Sequence, residues 1–219
     1  MELRRPFIEA YVETSAQASA AVAAGANRIE LCGAGEGGVT PSVATLDAVV
    51  REVVVPVHAM VRPRAGDFVY SADEFEAMRR ALPRLREHGA RGVVFGVLRE
   101  DGRLDAERMG ELVALCDGLR VVCHRAFDAT PGADESLEQL VALGVHEVLT
   151  SGQAPTALEG AATLQRLLVR AAGRIEILAG GGVRPHNVRE LLTQTGVHRV
   201  HARAFDAQVI AGIRASTSP

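Results

Sequence analysis

Short runs of apolar, mostly β-branched residues alternate along the chain with longer amphipathic segments rich in alanine and leucine. This alternation is typical of repeated βα units that build a parallel sheet. Eight such runs are predicted to be strands: residues 7–12, 28–32, 57–62, 92–97, 119–124, 147–150, 175–179 and 199–201. Eight parallel strands hide both sheet edges when the sheet closes, so we predict an α/β fold of the (β/α)8 TIM-type, with residues 1–219 as one barrel domain.

Turn and capping residues separate the predicted strands and helices. Helix starts are predicted at three polar sites, and helix ends at four glycines: Thr14–Ser15, Ser42 and Ser71, then Gly25, Gly89, Gly144 and Gly196. Pro83 lies inside the third helical pattern, which it is predicted to kink or break. The last helix, from about 206 to 214, is short, so we expect a shortened C-terminal end that leaves the barrel incompletely covered.

The alternative fold is a doubly wound open sheet. That fold usually carries a glycine-rich turn after its first strand. Here the corresponding turn reads VETSAQ. The closed barrel is therefore the favoured prediction.

The composition of the chain limits the classes of protein to which it can belong. The net charge is −3 and no stretch concentrates basic residues, so we expect no nucleic acid or membrane partner. All 24 positive side chains are arginine, which excludes lysine Schiff-base chemistry. Three cysteines, and an N-terminus that lacks a long apolar run, predict a cytoplasmic protein. No apolar run approaches the roughly 18 residues of a membrane span. Small molecules are the expected partners, because the basic surface of a nucleic-acid or membrane binder is missing.

Two glutamates, Glu9 and Glu30, lie at inward-facing positions of the first two predicted strands. A carboxylate inside an apolar barrel must be paired, protonated or bound to a ligand. One interpretation is a buried ion pair with Arg28, Arg62 or Arg125, and the other is a catalytic or binding role. The sequence leaves both open.

Basic and polar residues follow the third and fifth strands. Arg62 and Arg64 flank a proline that fixes the backbone, so they are predicted to bind a carboxylate or phosphate together. His124 is predicted to face inward as an acid or base that titrates near neutrality, with Asp128 orienting it. A core histidine without a catalytic role is the alternative.

The loops after the last strands supply further candidates for substrate binding. The glycines of the AGGGV segment, which precede a helix, expose backbone N–H groups at a frequent phosphate site of barrels. The complete predicted set is Arg62, Arg64, Arg125, Thr150, Ser151, Gly180, Gly181, Gly182 and His201.

One cluster of soft donors is a candidate for Cu(I), namely Cys32, His58 and Met60. There is no CxxC or CxC spacing to support it. Buried, unreactive thiols are the alternative interpretation.

Five motifs in order, LCGAGEGGVTPS, VRPRAGDFVYS, HRAFD, LTSGQ and AGGGV, closely resemble the CutC family of copper homeostasis proteins. The resemblance runs from about residue 8 to residue 201 and implies a (β/α)8 barrel in the cytoplasm. It places the family's strand-end acids on Glu9 and Glu30. Tyr11 stands where many members have a cysteine, so a cysteine-based copper site would lack that ligand here. HARAF near the end of the chain replaces the family's small polar residues, so the last loop differs from the family pattern.

Three functional hypotheses follow. The chain is a copper-binding protein of copper homeostasis, or an enzyme acting on a small anionic metabolite, phosphorylated or not, or a regulatory protein on an enzyme-derived scaffold. The enzyme hypothesis would use His124 with Glu9 or Glu30 for proton transfer. A homo-oligomer is compatible with each of them.

Overall fold

The fold is that of a computed structural model, which describes residues 5–35 and 37–217. Over these residues the chain forms eight strands: β1 Phe7–Val12, β2 Arg28–Leu31, β3 Val57–Met60, β4 Gly92–Phe95, β5 Arg120–Cys123, β6 Glu147–Thr150, β7 Glu176–Ala179 and β8 Arg199–Arg203. The α-helices that follow them are α1 Ser15–Ala23, α2 Val43–Glu52, α3 Ala72–Glu87, α4 Ala106–Ala114, α5 Ala133–Ala142, α6 Ala161–Ala171, α7 Val188–Thr195 and α8 Gln208–Ser216. A 3-10 helix, Arg125–Ala129, follows β5.

The strands form a closed barrel in which every neighbouring pair is parallel. Strand β8 closes the barrel against β1, where Glu9 lies opposite His201 and Tyr11 opposite Arg203. The predicted barrel is therefore confirmed and the open sheet is excluded. The predicted strands differ from the observed ones by at most two residues at either end.

The predicted helix starts are confirmed by their hydrogen bonds. Thr14 and Ser42 accept from the backbone N–H groups of the residues three positions later. Ser71 forms a capping box with Glu74, in which each side chain accepts from the other residue's backbone N–H. At the end of α7, Gly196 adopts the left-handed conformation that favours glycine.

Two predictions about helices have different outcomes. Helix α3 continues through Pro83, so the predicted break is wrong; Leu82 and Leu85 beside the proline are buried, and this packing holds the helix together. The short last helix is confirmed as α8. It buries Ile210 and Ile213, and its Arg214 donates to the backbone carbonyl groups of Pro6 and Gly25.

The core has two apolar parts and one charged layer. The larger apolar part fills the space between the barrel and the helices. The smaller lies inside the barrel and contains Tyr11, Cys32, Met60, Val94, Val122, Leu149 and Leu178. Toward the amino ends of the strands the interior is charged, with Glu9, Arg28 and Glu147 buried together. None of the helices within the described residues is long and apolar enough to cross a lipid bilayer.

Candidate functional site

A cavity of about 420 Å³ opens at the carboxyl ends of the strands, the end of a barrel where functional residues lie. Side chains from both halves of the chain line it. The predicted site residues that line it are Glu30, Met60, Arg62, His124, Arg125, Gly181, Gly182 and His201. The barrel thus brings together eight of the sixteen predicted site residues.

Glu9 lies beneath the cavity in the charged layer. Its Oε2 is 2.5 Å from Arg28 Nε, and Arg28 Nη1 is 2.6 Å from Glu147 Oε2. Burial alone would raise the pKa of Glu9, but the charge of Arg28 and a hydrogen bond from His201 bring it well below its usual range. The ion-pair interpretation with Arg28 is therefore confirmed for Glu9.

Glu30 and His201 form an interacting pair in the cavity wall. His201 Nδ1 lies 2.9 Å from Glu9 Oε1, and its Nε2 lies 3.7 Å from Glu30 Oε2. Burial raises the pKa of Glu30 to about 7, with Glu9 adding to the effect and His201 opposing it. Burial opposes a charge on His201, but Glu30 and Glu9 raise its pKa. Both protonation states of Glu30 are therefore accessible near neutral pH.

The same three residues also meet the geometric requirement for a metal ion, with one ligand atom each within 4.8 Å of the others. The sequence analysis did not predict this group as a metal site. Carboxylate oxygen and imidazole suit divalent ions rather than Cu(I), which prefers sulfur. Both oxygens of Glu9 already bind Arg28 and His201, so a metal ion would have to displace these contacts.

His124 is buried with one ring nitrogen engaged. Its Nδ1 accepts from the backbone N–H of Ala126 at 3.2 Å, so the neutral ring carries its hydrogen on Nε2. Burial, helped by the charge of Arg62, lowers the pKa of His124 to about 3. Burial and the neighbouring guanidinium therefore favour the neutral ring, contrary to the predicted titration near neutrality. It is a neutral hydrogen-bond donor.

Asp128 does not orient His124, contrary to prediction. Its carboxylate accepts from the hydroxyl of Thr150 at 2.5 Å, from the backbone N–H of Ser151 at 3.1 Å and from Arg125 Nε at 2.8 Å. These contacts join the 3-10 helix after β5 to the end of β6. The structure therefore places Asp128, Thr150 and Ser151 in a loop-bracing cluster outside the cavity.

Arg62 faces the cavity and is largely held by the protein. Its two terminal nitrogens donate to the backbone carbonyl groups of Gly37 and Gly66, and its guanidinium stacks 4.7 Å from the centre of the Phe68 ring. Its Nε is buried and has no partner among the described residues. This N–H group is shielded from solvent, and the Tyr70 hydroxyl interacts with the same guanidinium, so a ligand would reach it only after a side chain moves.

Arg64 lies outside the cavity. Its guanidinium is 2.6 Å from Glu74 and 2.8 Å from Asp67. The strand ends at Met60, so side chains beyond it no longer alternate regularly. The predicted joint binding of an anion by Arg62 and Arg64 is therefore not supported.

The glycines of the loop after β7 have two roles: one allows close packing and two line the cavity. At Gly180, a β-carbon would lie 2.4 Å from Leu149 Cδ1, so this glycine allows close packing. Gly181 and Gly182 line the cavity, and Gly181 has a φ of 105°, in the region that favours glycine. The carbonyl groups of Gly181 and Gly182 accept from Ala157 and Asn187, which leaves their backbone N–H groups for a ligand.

Two lining arginines were missed in the sequence analysis. Arg184 follows the glycine loop, and Arg203 lies over the Tyr11 ring at 5.5 Å. The signal for Arg203 was its position two residues after His201, which puts both on one face of β8. With Arg62 and Arg125, they give the cavity a positive lining that suits an anion.

The predicted copper ligands are only partly together. Cys32 and Met60 share the apolar cluster inside the barrel, whereas His58 packs against Gly92, where a β-carbon would lie 2.6 Å from its ring. Burial raises the pKa of the Cys32 thiol well above its usual value, and the carboxylate of Glu30 adds to this. Because Cu(I) binds thiolate, this environment disfavours the predicted site.

Comparisons with known proteins agree on one family. A family model described as the CutC family matches residues 7–205. A CutC family protein of Mesorhizobium japonicum is 47% identical over 205 residues, which cover 93% of this chain and 80% of the relative. The human copper homeostasis protein cutC homolog is 43% identical over 198 residues, covering 90% of this chain and 72% of the relative.

Solved structures give the same result for the fold. The crystal structure of the CutC protein of Streptococcus agalactiae has a TM-score of 0.85 and 32% identity, covering 90% of this chain and 97% of that one. A phosphoribosylanthranilate isomerase of Thermotoga maritima has a TM-score of 0.63 at 12% identity, covering 97% and 98% of the two chains. The second similarity is one of fold alone.

Proposed function

This chain belongs to the CutC family, and from that premise we propose that it serves copper homeostasis as a cytoplasmic enzyme acting on a small anionic metabolite. The human relative is named a copper homeostasis protein, and this name supports the proposed role in copper homeostasis. The enzyme assignment rests on one observation. Three buried polar atoms without a partner among the described residues belong to side chains that line one cavity: Arg62 Nε, His124 Nε2 and Glu30 Oε1.

Buried polar atoms of this kind are costly unless a ligand or an ordered water completes their hydrogen bonds. Each one left unsatisfied costs on the order of 1–3 kcal/mol. Two of the three, on Arg62 and His124, are donors that require an acceptor. Together with the lining guanidinium groups of Arg125, Arg184 and Arg203, they favour a carboxylate or phosphate.

The third atom, Glu30 Oε1, is an acceptor when the carboxyl is ionised. The pKa of Glu30, raised to about 7 mainly by burial, suits a group that exchanges a proton at neutral pH. His201 contacts the other oxygen of Glu30 at 3.7 Å and is itself held by Glu9. The pair supports a proton-transfer reaction on the bound anion.

A thermal-shift screen of phosphorylated and carboxylated metabolites tests this function. A ligand that binds the native state at a hundredfold excess over its Kd stabilises it by about 2.7 kcal/mol. We expect such a ligand to raise the unfolding temperature of the wild type and to have little effect on Arg62→Ala or His124→Ala. Arg99→Ala is the matched control, because Arg99 is exposed and pairs with Asp101.

The control variant should respond to the ligand like the wild type. If no anion shifts the wild type, or if Arg62→Ala responds equally, the proposed site does not bind the anion and the enzyme assignment fails.

A second candidate function is direct Cu(I) binding, because the Cys32 thiol and the Met60 thioether lie in one cluster; such binding would require the buried thiol to lose its proton. It predicts stoichiometric Cu(I) uptake that Cys32→Ala abolishes. Cys123→Ala is the matched control, since Cys123 is also buried but packs in the outer layer. Unchanged uptake in Cys32→Ala would eliminate the proposed ligands.

A further inference from the structure

The guanidinium of Arg125 is held in one orientation at the wall of the cavity. Its Nε donates to Asp128 at 2.8 Å, and its Nη2 donates to the hydroxyl of Ser151 at 2.9 Å. Its third nitrogen, Nη1, donates to none of the described residues. The side chain is 43% exposed, so a ligand can reach it. Arg125 therefore offers a ligand one nitrogen of a cation that is already positioned.

The glycine loop after β7 lies against this guanidinium. A β-carbon built on Gly181 would lie 3.5 Å from Arg125 Cζ and 3.6 Å from Arg125 Nη1. The approach is this close because Gly181 has no side chain, and its φ of 105° lies in the region that favours glycine. Both residues line the same cavity. The free nitrogen and the loop backbone thus meet at one place in its wall.

Anchored carbonyl groups set the direction of the N–H groups in this loop. The carbonyl of Gly181 accepts from the N–H of Ala157 at 2.8 Å, and that of Gly182 accepts from Asn187 Nδ2 at 2.9 Å. In a trans peptide the next N–H points opposite to the carbonyl. The N–H groups of Gly182 and Val183 therefore point away from Ala157 and Asn187. Gly182 and Val183 line the cavity, and neither N–H donates to another described residue.

From these contacts, and resting on the proposed function, we infer that the loops after β5 and β7 bind a phosphate monoester group of the substrate. Arg125 Nη1 and the N–H groups of Gly182 and Val183 donate to its oxygens. Arg184, whose Nη1 donates to the carbonyl of Val183 at 2.8 Å, adds a positive charge at the same loop. Arg62 and His124 take no part in this subsite.

The arrangement of donors favours phosphate over carboxylate. Arginine usually binds a carboxylate through two parallel N–H bonds in one plane. Asp128 and Ser151 already occupy Nε and Nη2 of Arg125, so one free nitrogen remains in place of the complete fork. Donors that approach from a guanidinium and from a backbone loop suit the three terminal oxygens of a tetrahedral group. Asp128 and Ser151 are positioning residues for this cation.

Calorimetry with two probes tests the inference. Glycerol phosphate and glycerate are small hydroxylated compounds that differ in the anion, a phosphate monoester in one and a carboxylate in the other. We expect the wild type to bind glycerol phosphate about tenfold or more tightly than glycerate, because the phosphate accepts additional charge-assisted hydrogen bonds.

A pair of glycine variants locates the effect. Gly181→Ala places a β-carbon in a strained backbone 3.1 Å from Ser151 Cβ and against Arg125, so the preference for glycerol phosphate should be lost. Gly173→Ala is the matched control. Gly173 also has a positive φ, of 75°, but a β-carbon there meets nothing within 4 Å, so this variant should bind both probes like the wild type.

Arg125→Lys is the second test of the subsite. It keeps the positive charge, but an ammonium group lacks the planar shape that bonds Asp128 and Ser151 while a third nitrogen faces the ligand. We expect this variant to lose the preference as well. If Gly181→Ala does not fold, Arg125→Lys decides.

The outcomes separate this inference from the proposed function. Equal affinities of the wild type for the two probes, or an unchanged preference in the folded variants, would overturn the phosphate subsite. The proposed function would stand in that case if Arg62→Ala still weakened the binding of glycerate. A preference that is lost in both variants but kept in Arg62→Ala would support the subsite and contradict the role of Arg62. If neither probe binds the wild type, the subsite is overturned, and the metabolite screen decides the proposed function separately.

Discussion

At Glu30, a carboxyl group that would be ionised in water is buried beside the ionised Glu9. Oε1 of Glu30 has no hydrogen-bond partner among the described residues. A folded protein keeps such a group at a cost in stability, and groups of this kind concentrate at functional sites. Stability and function therefore oppose each other at this residue.

Replacing Glu30 by glutamine should stabilise the protein in a pH-dependent way. Burial raises the pKa of Glu30 from 4.5 to about 7, so the folded state binds this proton more tightly than the unfolded state. The wild type loses stability as the pH rises from 4.5 through 7, and the variant lacks this loss. We expect Glu30→Gln to be more stable by about 1–3 kcal/mol at pH 8 and equal to the wild type at pH 4. Urea unfolding at both pH values checks this, and a variant destabilised at pH 8 would contradict it.

His124 should remain neutral across the physiological range. With its pKa lowered to about 3 by burial and the charge of Arg62, the ring does not titrate above pH 5. Nitrogen-15 NMR of the imidazole should show hydrogen on Nε2 and an unprotonated Nδ1 from pH 8 to pH 5. A midpoint near pH 6.5 would mean that the ring is solvated, which would contradict its burial in the cavity wall.

At the scale of elements, strands and helix starts were predicted well because they depend on local patterns. Alternation and capping residues place Glu30 and His124 on inward faces without any knowledge of the neighbouring strands. The hydrogen-bond partners of Asp128 depend on which loop packs beside the 3-10 helix. The sequence around Asp128 does not show this, because the partners lie more than 20 residues away in the chain. The same limit applies to Arg64, because β3 ends at Met60 and strand alternation does not fix the directions of the side chains beyond it.

The loop-bracing role of Asp128 has a measurable consequence. Its carboxylate accepts from two backbone N–H groups, a hydroxyl and Arg125. Asp128→Ala should lower the free energy of unfolding by about 2–4 kcal/mol, since it leaves several buried donors unpaired. Asp101→Ala, which removes an exposed carboxylate paired with Arg99, should change it by roughly 0.5 kcal/mol or less.

NMR of the same variant separates the two roles considered for Asp128. The signals of His124 in Asp128→Ala should still show a neutral ring with hydrogen on Nε2. A shift of its protonation into the neutral pH range would restore Asp128 as the residue that orients it.

At the scale of the whole molecule, barrel closure assembles the site. The pairing of β8 with β1 places His201 opposite Glu9, 192 positions apart in the chain. The sequence predicted the closed barrel and its active end, but the strand register that sets this contact follows from packing of the whole sheet. Composition also did not predict the positive charge of the cavity. The whole chain has a net charge of −3, whereas guanidinium groups line the cavity.

A crystal structure of the protein grown in inorganic phosphate, with Arg62→Ala crystallised in the same way, tests whether the cavity binds an anion. We expect a phosphate ion in the wild-type cavity with oxygens about 2.7–3.2 Å from Arg62 Nε and His124 Nε2, and no such ion in the variant. A wild-type cavity that holds water alone, with both nitrogens bonded to other protein groups, would contradict it.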